Sequence, residues 1–328
     1  MSDRPRVLVP QTIHPDAVAL LAESCEVVCG PRGPEGMDLF DGIEACDAVL
    51  IRTAKLSGDT IRRGTRLRVI ARHGVGVDNI DLAAATECGI PVVNTPEANA
   101  VSVAEHVIGT MIAAVRMIHE ADAAVRRGEF SYRDGRTGIE LSGKRLGVVG
   151  LGRVGSRVAR IARLGFDMVV AAYDPYAPRL LFEELGVEAA ASVDELIAAS
   201  DFVTLHVPLT PQTRNLIDAR RIEAMKQGAV LVNCARGGLV DEAALARALV
   251  SGKLRAAAVD VFDDEPPPPD HPLFGVPNVL LTPHMAAHTQ EAMWRMAMGA
   301  ATRILEVLAG KAPRDVVNPD YMRFRRSG

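Results

Sequence analysis

Short runs of apolar residues recur along the whole chain and alternate with longer stretches of helical spacing. The runs lack strict polar alternation, which is typical of strands buried on both faces of a parallel sheet. They occupy residues 7–9, 26–28, 48–51, 69–71, 91–93, 146–149, 168–173, 202–205, 229–232, 256–261 and 279–281. Strands that alternate with helices in this way predict an α/β fold of doubly wound parallel sheets with right-handed crossovers.

Two amphipathic segments are candidates for places where the chain passes between domains. Apolar residues at helical spacing predict one long helix at residues 103–127, and Ser102 with Glu105 fits a capping box at its start. A second helix is predicted at about residues 290–308, where the chain either returns to the first domain or ends the second. The chain has 328 residues, about twice the usual length of a domain, so two domains are expected.

Composition argues against several classes of protein. The net charge of −4 disfavours nucleic-acid and membrane-surface binders, because both need a basic patch. No apolar run reaches the length of a membrane-spanning helix, and the first residues do not fit a signal peptide. The five scattered cysteines suit a reduced, cytoplasmic protein. Cys25 and Cys29 lack the second ligand pair of a zinc site, so no metal is expected.

A glycine-rich turn follows the strand predicted at residues 146–149. Gly150, Gly152 and Gly155 form a G-x-G-x-x-G pattern that opens a helix, and Asp174 ends the next strand. These glycines would permit a tight turn, close approach of backbone amides to a pyrophosphate, and close packing of helix on strand. Asp174 can accept hydrogen bonds from a ribose diol and would repel a 2′-phosphate. The pattern predicts an NAD site; the alternative is a glycine-rich turn without a ligand.

Three reactive side chains follow three later strands of the same predicted sheet. They are Arg236, Glu265 and His284, and the carboxyl ends of parallel strands meet at one edge. A histidine can donate a proton to a carbonyl, and a neighbouring carboxylate favours the imidazolium. An arginine binds a carboxylate bidentately. The set therefore predicts hydride reduction of a 2-keto acid, which has both a carbonyl and a carboxylate.

Polar groups also follow strands in the first hundred residues. Arg52 and Arg72 each come after a strand, and the amides of Gly74, Val75 and Gly76 could hold a carboxylate in a backbone nest. Two guanidinium groups exceed what a small neutral substrate tail requires, which favours a phosphate. Surface salt bridges are the alternative for both arginines.

Five segments resemble one known family. Residues 74–81, 94–96, 233–238, 260–266 and 282–284 are similar to the hallmarks of the D-isomer-specific 2-hydroxyacid dehydrogenases, and the similarity covers nearly the whole chain. Within that family, residues 72–79 and 99–106 most resemble phosphoglycerate dehydrogenases. The resemblance implies a flavodoxin-like substrate domain, residues 1–98 and 289–328, with a Rossmann cofactor domain, residues 99–288, inserted in it. It also implies a homodimer formed by the cofactor domains around the 103–127 helix.

The resemblance implies roles for individual residues. Arg236, Glu265 and His284 match the catalytic positions. The positions expected to bind NAD are Val75, Gly150, Gly152, Arg153, Val154, Gly155, Asp174, Val207, Cys234, Ala235, Arg236, Asp260, His284, Ala286 and Ala287. Those expected to bind the substrate are Arg52, Arg72, Gly74, Val75, Gly76, Arg236 and His284. His288 stands where the family usually has serine, alanine or an aromatic residue, which leaves the substrate side chain open.

The expected reaction is hydride transfer between NAD(H) and C2 of a small 2-hydroxy or 2-keto acid. The leading pair is 3-phosphoglycerate and 3-phosphohydroxypyruvate, and reduction of hydroxypyruvate or glyoxylate is the first alternative. A dinucleotide-sensing binding protein of the same fold is the second, because such proteins keep the same residues. Formate dehydrogenase is disfavoured, since that relative has glutamine where Glu265 stands.

Overall fold

Strands and helices alternate in the computed structural model, which describes residues 4–30 and 38–324. The strands are β1 (Arg6–Val9), β2 (Glu26–Cys29), β3 (Ala48–Ile51), β4 (Val69–Arg72), β5 (Val92–Val93), β6 (Arg145–Val149), β7 (Val169–Tyr173), β8 (Glu188–Ala189), β9 (Phe202–Leu205), β10 (Ala229–Asn233), β11 (Leu254–Val259) and β12 (Val279–Leu281). The helices are α1 (Pro15–Ser24), α2 (Gly58–Arg63), α3 (Leu82–Glu87), α4 (Ala100–Val115), α5 (Ile118–Arg126), α6 (Arg153–Phe166), α7 (Arg179–Leu185), α8 (Val193–Ala199), α9 (Ala219–Ala224), α10 (Glu242–Val250) and α11 (Gln290–Leu308). Short 3₁₀ helices cover Ile43–Ala45, Phe130–Arg133, Gly237–Leu239 and Pro319–Phe324.

The apolar runs predicted as strands are confirmed to within one residue at each end, with two larger differences. β11 covers residues 254–259 rather than 256–261, because its pairing with β10 ends where Val259 lies opposite Asn233. β8 was not predicted, since it is a two-residue, solvent-exposed edge strand and carries no apolar run.

The first unit is formed by the described residues up to Asn99 and from His288 onward. Its described strands are all parallel, in the order β2-β1-β3-β4-β5, which is the flavodoxin-like order. Residues of α1 and α11, among them Leu21 and Ile304, pack on one set of strand side chains. Residues of α2 and α3, among them Ile61 and Ala85, pack on the other. α11 therefore returns to the first unit and does not end the second.

The second unit comprises residues Ala100–Ala287. Its described strands are all parallel, in the order β12-β11-β10-β9-β6-β7-β8. The chain starts at β6, extends to one side through β7 and β8, and then crosses to β9, which is the order of a Rossmann fold. The predicted class of two doubly wound parallel sheets is confirmed. The predicted domain boundaries at 98/99 and 288/289 each lie one residue from the boundaries of these units.

The single helix predicted at residues 103–127 is wrong. α4 and α5 meet at a 60° bend, and Met117 between them has a left-handed backbone with φ of 52°. The apolar stripe does not continue across the bend: most of α4 is buried, whereas Ala124 is the buried residue of α5. The predicted capping box is also wrong, because α4 begins at Ala100 and Ser102 already lies inside its first turn.

No single helix in the described part of the chain is both long enough and apolar enough to cross a bilayer. The bent pair α4–α5 has the length and composition of a span only when its two helices are taken together. Because α4 is packed into the core beside the sheet, this result is weak support for a membrane span.

Candidate active site

The glycine-rich turn joins β6 to α6. Gly150 has a φ of +93°, and a Cβ there would lie 2.7 Å from the carbonyl oxygen of His206. A Cβ on Gly155 would lie only 1.9 Å from the carbonyl oxygen of Gly150, so helix and turn are in backbone contact. Gly152, by contrast, faces open space and is the N-cap of α6 without any side-chain cap. The uncapped N-terminus of this 14-residue helix therefore leaves backbone N–H groups for an anion.

Asp174 lies beside this turn at the carboxyl end of β7. One of its carboxylate oxygens accepts the Leu151 N–H at 2.8 Å, and the other accepts the Tyr176 N–H at 2.9 Å. These bonds fix the carboxylate next to the glycine turn. The open helix N-terminus and the fixed carboxylate fit a dinucleotide, with its pyrophosphate at the former and a ribose diol at the latter.

Arg236 lies in the loop that follows β10. Buried Asn233 holds that loop: its Nδ2 donates to the Arg236 carbonyl at 2.8 Å, and its Oδ1 accepts the Ala235 N–H at 3.1 Å. A Cβ on Gly237 would lie 1.9 Å from the carbonyl carbon of Phe262, so this loop touches the next one through backbone alone. Sequence reasoning assigned Asn233 no role, although it is the first residue of the motif that contains Arg236.

Glu265 and His284 form a hydrogen-bonded pair. Nδ1 of His284 donates to Oε2 of Glu265 at 2.7 Å, and the two side chains are 50% and 37% exposed. Burial acts to raise the pKa of Glu265, and the hydrogen bond and charge of His284 act to lower it. The Phe262 N–H and the charge of Arg236 act in the same direction, so the pKa of Glu265 lies below its usual value. The carboxylate is therefore charged at neutral pH, and Nε2 of His284 is left for a substrate.

Asp260 holds the turn that carries His284. Its side chain has no exposed surface, and its carboxylate oxygens accept hydrogen bonds from Thr282 Oγ1 at 2.5 Å and from the Met285 and Ala286 N–H groups at 2.9 Å. Its carbonyl oxygen accepts the His284 N–H at 2.7 Å. The resemblance implies that Asp260 binds NAD, and it does not indicate this second task.

The other expected cofactor positions follow neighbouring strands of the same sheet. Arg153 and Val154 begin α6, Val207 follows β9, Cys234 and Ala235 follow β10, and Ala286 and Ala287 follow β12. Burial raises the pKa of the Cys234 thiol well above its ordinary value, and the charge of Asp260 adds to this effect. A thiolate nucleophile at this position is therefore disfavoured.

The expected substrate residues of the first unit lie at the carboxyl ends of β3 and β4. Nη2 of Arg52 donates to Nε2 of His288 at 2.9 Å, so the residue that departs from the family pattern contacts this arginine. Nη1 of Arg72 donates to the carbonyl of His73. Gly74 has a φ of +134°, and its carbonyl accepts from the Thr95 hydroxyl at 3.1 Å.

The glycine loop at residues 74–76 exposes backbone donors. The carbonyl of Val75 accepts from Nδ2 of Asn94 at 2.8 Å, which fixes the loop from one side. Within the described part of the chain, the N–H groups of Val75 and Gly76 donate no hydrogen bond to a protein acceptor. They are therefore suited to an anion.

Two further polar side chains shape the loop after β3. Oε1 of Gln11 accepts the Thr53 and Ala54 N–H groups at 2.8 Å, and Nδ2 of Asn79 donates to the Ala54 carbonyl at 2.8 Å. Sequence reasoning missed Gln11, whose only signal is its place just after the first strand. No cluster of three or more His, Cys, Asp or Glu side chains in residues 4–30 and 38–324 has the geometry of a metal site.

Comparison with known proteins identifies the family of this chain. The profile for the NAD binding domain of D-isomer specific 2-hydroxyacid dehydrogenases matches residues 108–286, more than half of the chain. The chain belongs to the D-isomer-specific 2-hydroxyacid dehydrogenase family. The resemblance is thereby confirmed, and the second unit is the family's domain for a nicotinamide dinucleotide.

Relatives in the family differ in substrate. D-3-phosphoglycerate dehydrogenase of Methanocaldococcus jannaschii is 47% identical over 314 residues, which are 95% of this chain and 59% of that relative. The chain thus spans about three fifths of the length of this phosphoglycerate dehydrogenase. Glyoxylate reductase of Aeropyrum pernix is 39% identical over 99% of both chains. The crystal structure of a Thermus thermophilus protein matches with a TM-score of 0.86 and 37% identity, over 95% of this chain and 99% of the other.

Proposed function

We propose that this chain transfers hydride between NAD(H) and C2 of a small 2-hydroxy or 2-keto acid, as a D-2-hydroxyacid dehydrogenase. The observation that carries the proposal is the 2.7 Å hydrogen bond between His284 and the ionised Glu265. The loop of Arg236, packed through Gly237 against the loop that leads to Glu265, supports it. A proton donor and a carboxylate-binding cation at one sheet edge suit a 2-keto acid.

NAD(H), when bound, supplies or accepts the hydride. In the direction of reduction, His284 delivers the proton to the carbonyl oxygen from Nε2 while Nδ1–H stays bonded to Glu265. The carboxylate of Glu265 stabilises the imidazolium and orients the ring. The guanidinium of Arg236 binds the substrate carboxylate and polarises the adjacent ketone.

The finer proposal is that the preferred substrate pair is 3-phosphoglycerate and 3-phosphohydroxypyruvate. Arg52 and Arg72 follow neighbouring strands, and the N–H groups of the 74–76 loop add neutral donors beside them. The imidazole of His288 accepts the hydrogen bond of the Arg52 guanidinium and carries no negative charge, so this contact does not compensate the charge of the arginine. A phosphate would supply the missing negative charge.

Reduction of hydroxypyruvate or glyoxylate is the second candidate. Its support is the similarity to glyoxylate reductase, which extends over 99% of both chains. If this candidate is correct, His288 keeps its hydrogen bond to Arg52 when the substrate is bound. The substrate then carries no negatively charged group besides its carboxylate.

Steady-state kinetics with NADH separate these candidates. The substrates are phosphohydroxypyruvate, hydroxypyruvate, glyoxylate and pyruvate, and the finer proposal requires the highest kcat/KM for the phosphorylated one. Arg72→Ala should raise the KM for phosphohydroxypyruvate about 10- to 100-fold, since a charge-assisted hydrogen bond contributes about 1.5–3 kcal/mol. The KM for glyoxylate should stay nearly unchanged, and Arg323→Ala, which removes an exposed guanidinium, is the matched control.

The outcomes are distinct. Equal kcat/KM for hydroxypyruvate and its phosphate would reject the phosphate proposal and favour the hydroxypyruvate or glyoxylate reductase. Binding of NADH without turnover of any of the four keto acids would favour the dinucleotide-sensing protein.

A further inference from the structure

His106 lies on α4 and contacts the turn that carries His284. Its Nε2 is 3.2 Å from Oγ1 of Thr282 and 3.6 Å from Oδ1 of Asp260. The His106 side chain is only 17% exposed, and that of Asp260 has no exposed surface. The imidazole of His106 thus connects helix α4 to the turn that follows β12.

The direction of the hydrogen bonds in this group follows from its chemistry. Both carboxyl oxygens of Asp260 already accept backbone N–H groups, and the hydroxyl of Thr282 donates its single hydrogen to Oδ1 at 2.5 Å. The Thr282 oxygen is then an acceptor towards His106. The imidazole therefore carries its hydrogen on Nε2, and it places that N–H beside both Thr282 and Asp260.

This chain of bonds ends on the backbone of the turn. The carboxylate of Asp260 accepts the N–H groups of Met285 and Ala286, which flank His284 on its carboxyl side. His284 itself has a φ of 49°, a left-handed conformation that costs free energy for a residue with a side chain. Such a conformation persists when surrounding bonds hold it.

We propose that His106 is a positioning residue, which holds the 282–286 turn through Thr282 and Asp260 and so keeps His284 aligned with Glu265. The part of this proposal that concerns catalysis rests on the proposed function. His106 does not touch the reacting atoms, and its effect passes through the two buried residues. Hydrogen bonds of 3.2 Å or less join His106 to Thr282, Thr282 to Asp260, and Asp260 to the backbone of the turn. An unbroken series of hydrogen bonds therefore connects α4 to the turn.

Hydrogen–deuterium exchange tests the positioning directly, without substrate or cofactor. In His106→Phe, which keeps a ring and removes the N–H, the amides of Met285 and Ala286 should exchange at least about 10-fold faster. His106→Gln keeps an N–H donor and should restore most of the protection. His119→Phe removes a 39% exposed imidazole from α5 and is the matched control.

Kinetics test the consequence for the reaction. His106→Phe should lower kcat about 10-fold and change the KM for the keto acid less than about twofold, because misplacing a catalytic group by a fraction of an ångström slows the chemical step. Thr282→Val, which keeps the shape and removes the hydroxyl, should cause a similar loss. The double variant should be no slower than either single one, since both changes break the same chain.

Specific results would overturn the proposal. The first is unchanged amide exchange at Met285 and Ala286 in His106→Phe. The second is an equal loss of amide protection in His106→Gln and His106→Phe. The third is a loss of kcat in the double variant with Thr282→Val that equals the sum of the two single losses in activation free energy. Faster exchange over the whole second unit would assign His106 a general structural role instead. If His106→Phe does not fold, His106→Gln and Thr282→Val still test the chain of bonds. Faster exchange of the turn in a protein without turnover would uphold the positioning and reject the proposed function.

Discussion

Acid should destabilise the first unit through one buried histidine. His73 is buried, and burial, followed by the charges of Arg52 and Arg72, lowers its pKa from 6.5 to about 4. Between these two pH values the unfolded chain binds a proton at His73 and the folded chain does not. The free energy of unfolding therefore falls as the pH falls through that window. Each unit of pKa difference corresponds to about 1.36 kcal/mol. This histidine therefore lowers the free energy of unfolding by about 3 kcal/mol over the whole window, and by about 2 kcal/mol between pH 7 and pH 5.

Unfolding by guanidinium chloride, followed by circular dichroism at pH 7 and pH 5, measures this loss. His73→Gln cannot protonate in either state, so wild type should lose about 2 kcal/mol more than this variant over the interval. Because all other titrating groups are shared, the difference between the two proteins isolates the histidine. His119→Gln, which removes a half-exposed imidazole from the second unit, is the matched control. Equal losses in wild type and His73→Gln would refute the reasoning.

Four further outcomes are expected. Glu265→Gln should move the alkaline limb of the pH profile for keto-acid reduction to lower pH, because the imidazolium of His284 loses its counter-charge; an unchanged profile would show that the pair is uncoupled. Asp174→Ala should narrow the preference for NADH over NADPH in kcat/KM, and wild type that uses both equally would contradict this. Gly237→Ala should lower the melting temperature, by a destabilisation of about 1–3 kcal/mol, because its Cβ meets the Phe262 backbone at 1.9 Å. Sedimentation equilibrium should give twice the chain mass of 35.0 kDa, and a monomer at micromolar concentration would reject the homodimer that the family resemblance implies.

The sheets were predictable because their strands have a strong local signal. A run such as Ala48–Ile51 is apolar at every position, since both faces of a parallel strand are covered. The break at Met117 was not predictable in this way. Helical spacing of apolar residues continues through Ile118, yet Ile118 is exposed, so the pattern there reflects composition and not burial. The capping box failed for a related reason: Ser102 and Glu105 satisfy the spacing, and that spacing also occurs inside a helix.

Part of the candidate site was predictable from topology. Arg236, Glu265 and His284 each follow a strand, and parallel strands deliver such residues to one edge. The contact between Arg52 and His288 was not predictable, because the two residues are joined by the packing of α11 beside β3 and β4 and by no local pattern.

The residues that hold the catalytic side chains are the least visible in the sequence. Asn233 and Asp260 act mainly on backbone N–H and C=O groups, so their partners have no distinctive side chain. His106 acts across more than 150 positions of the chain, from α4 to Thr282. Such contacts exist only once the sheet has brought distant segments together, and they obey no fixed spacing. Looking for polar residues just after strands therefore finds the side chains that react. It does not find the residues that hold His284 in its costly left-handed conformation. Those residues are identified from the structure, by following the hydrogen bonds that the buried carboxylate of Asp260 accepts.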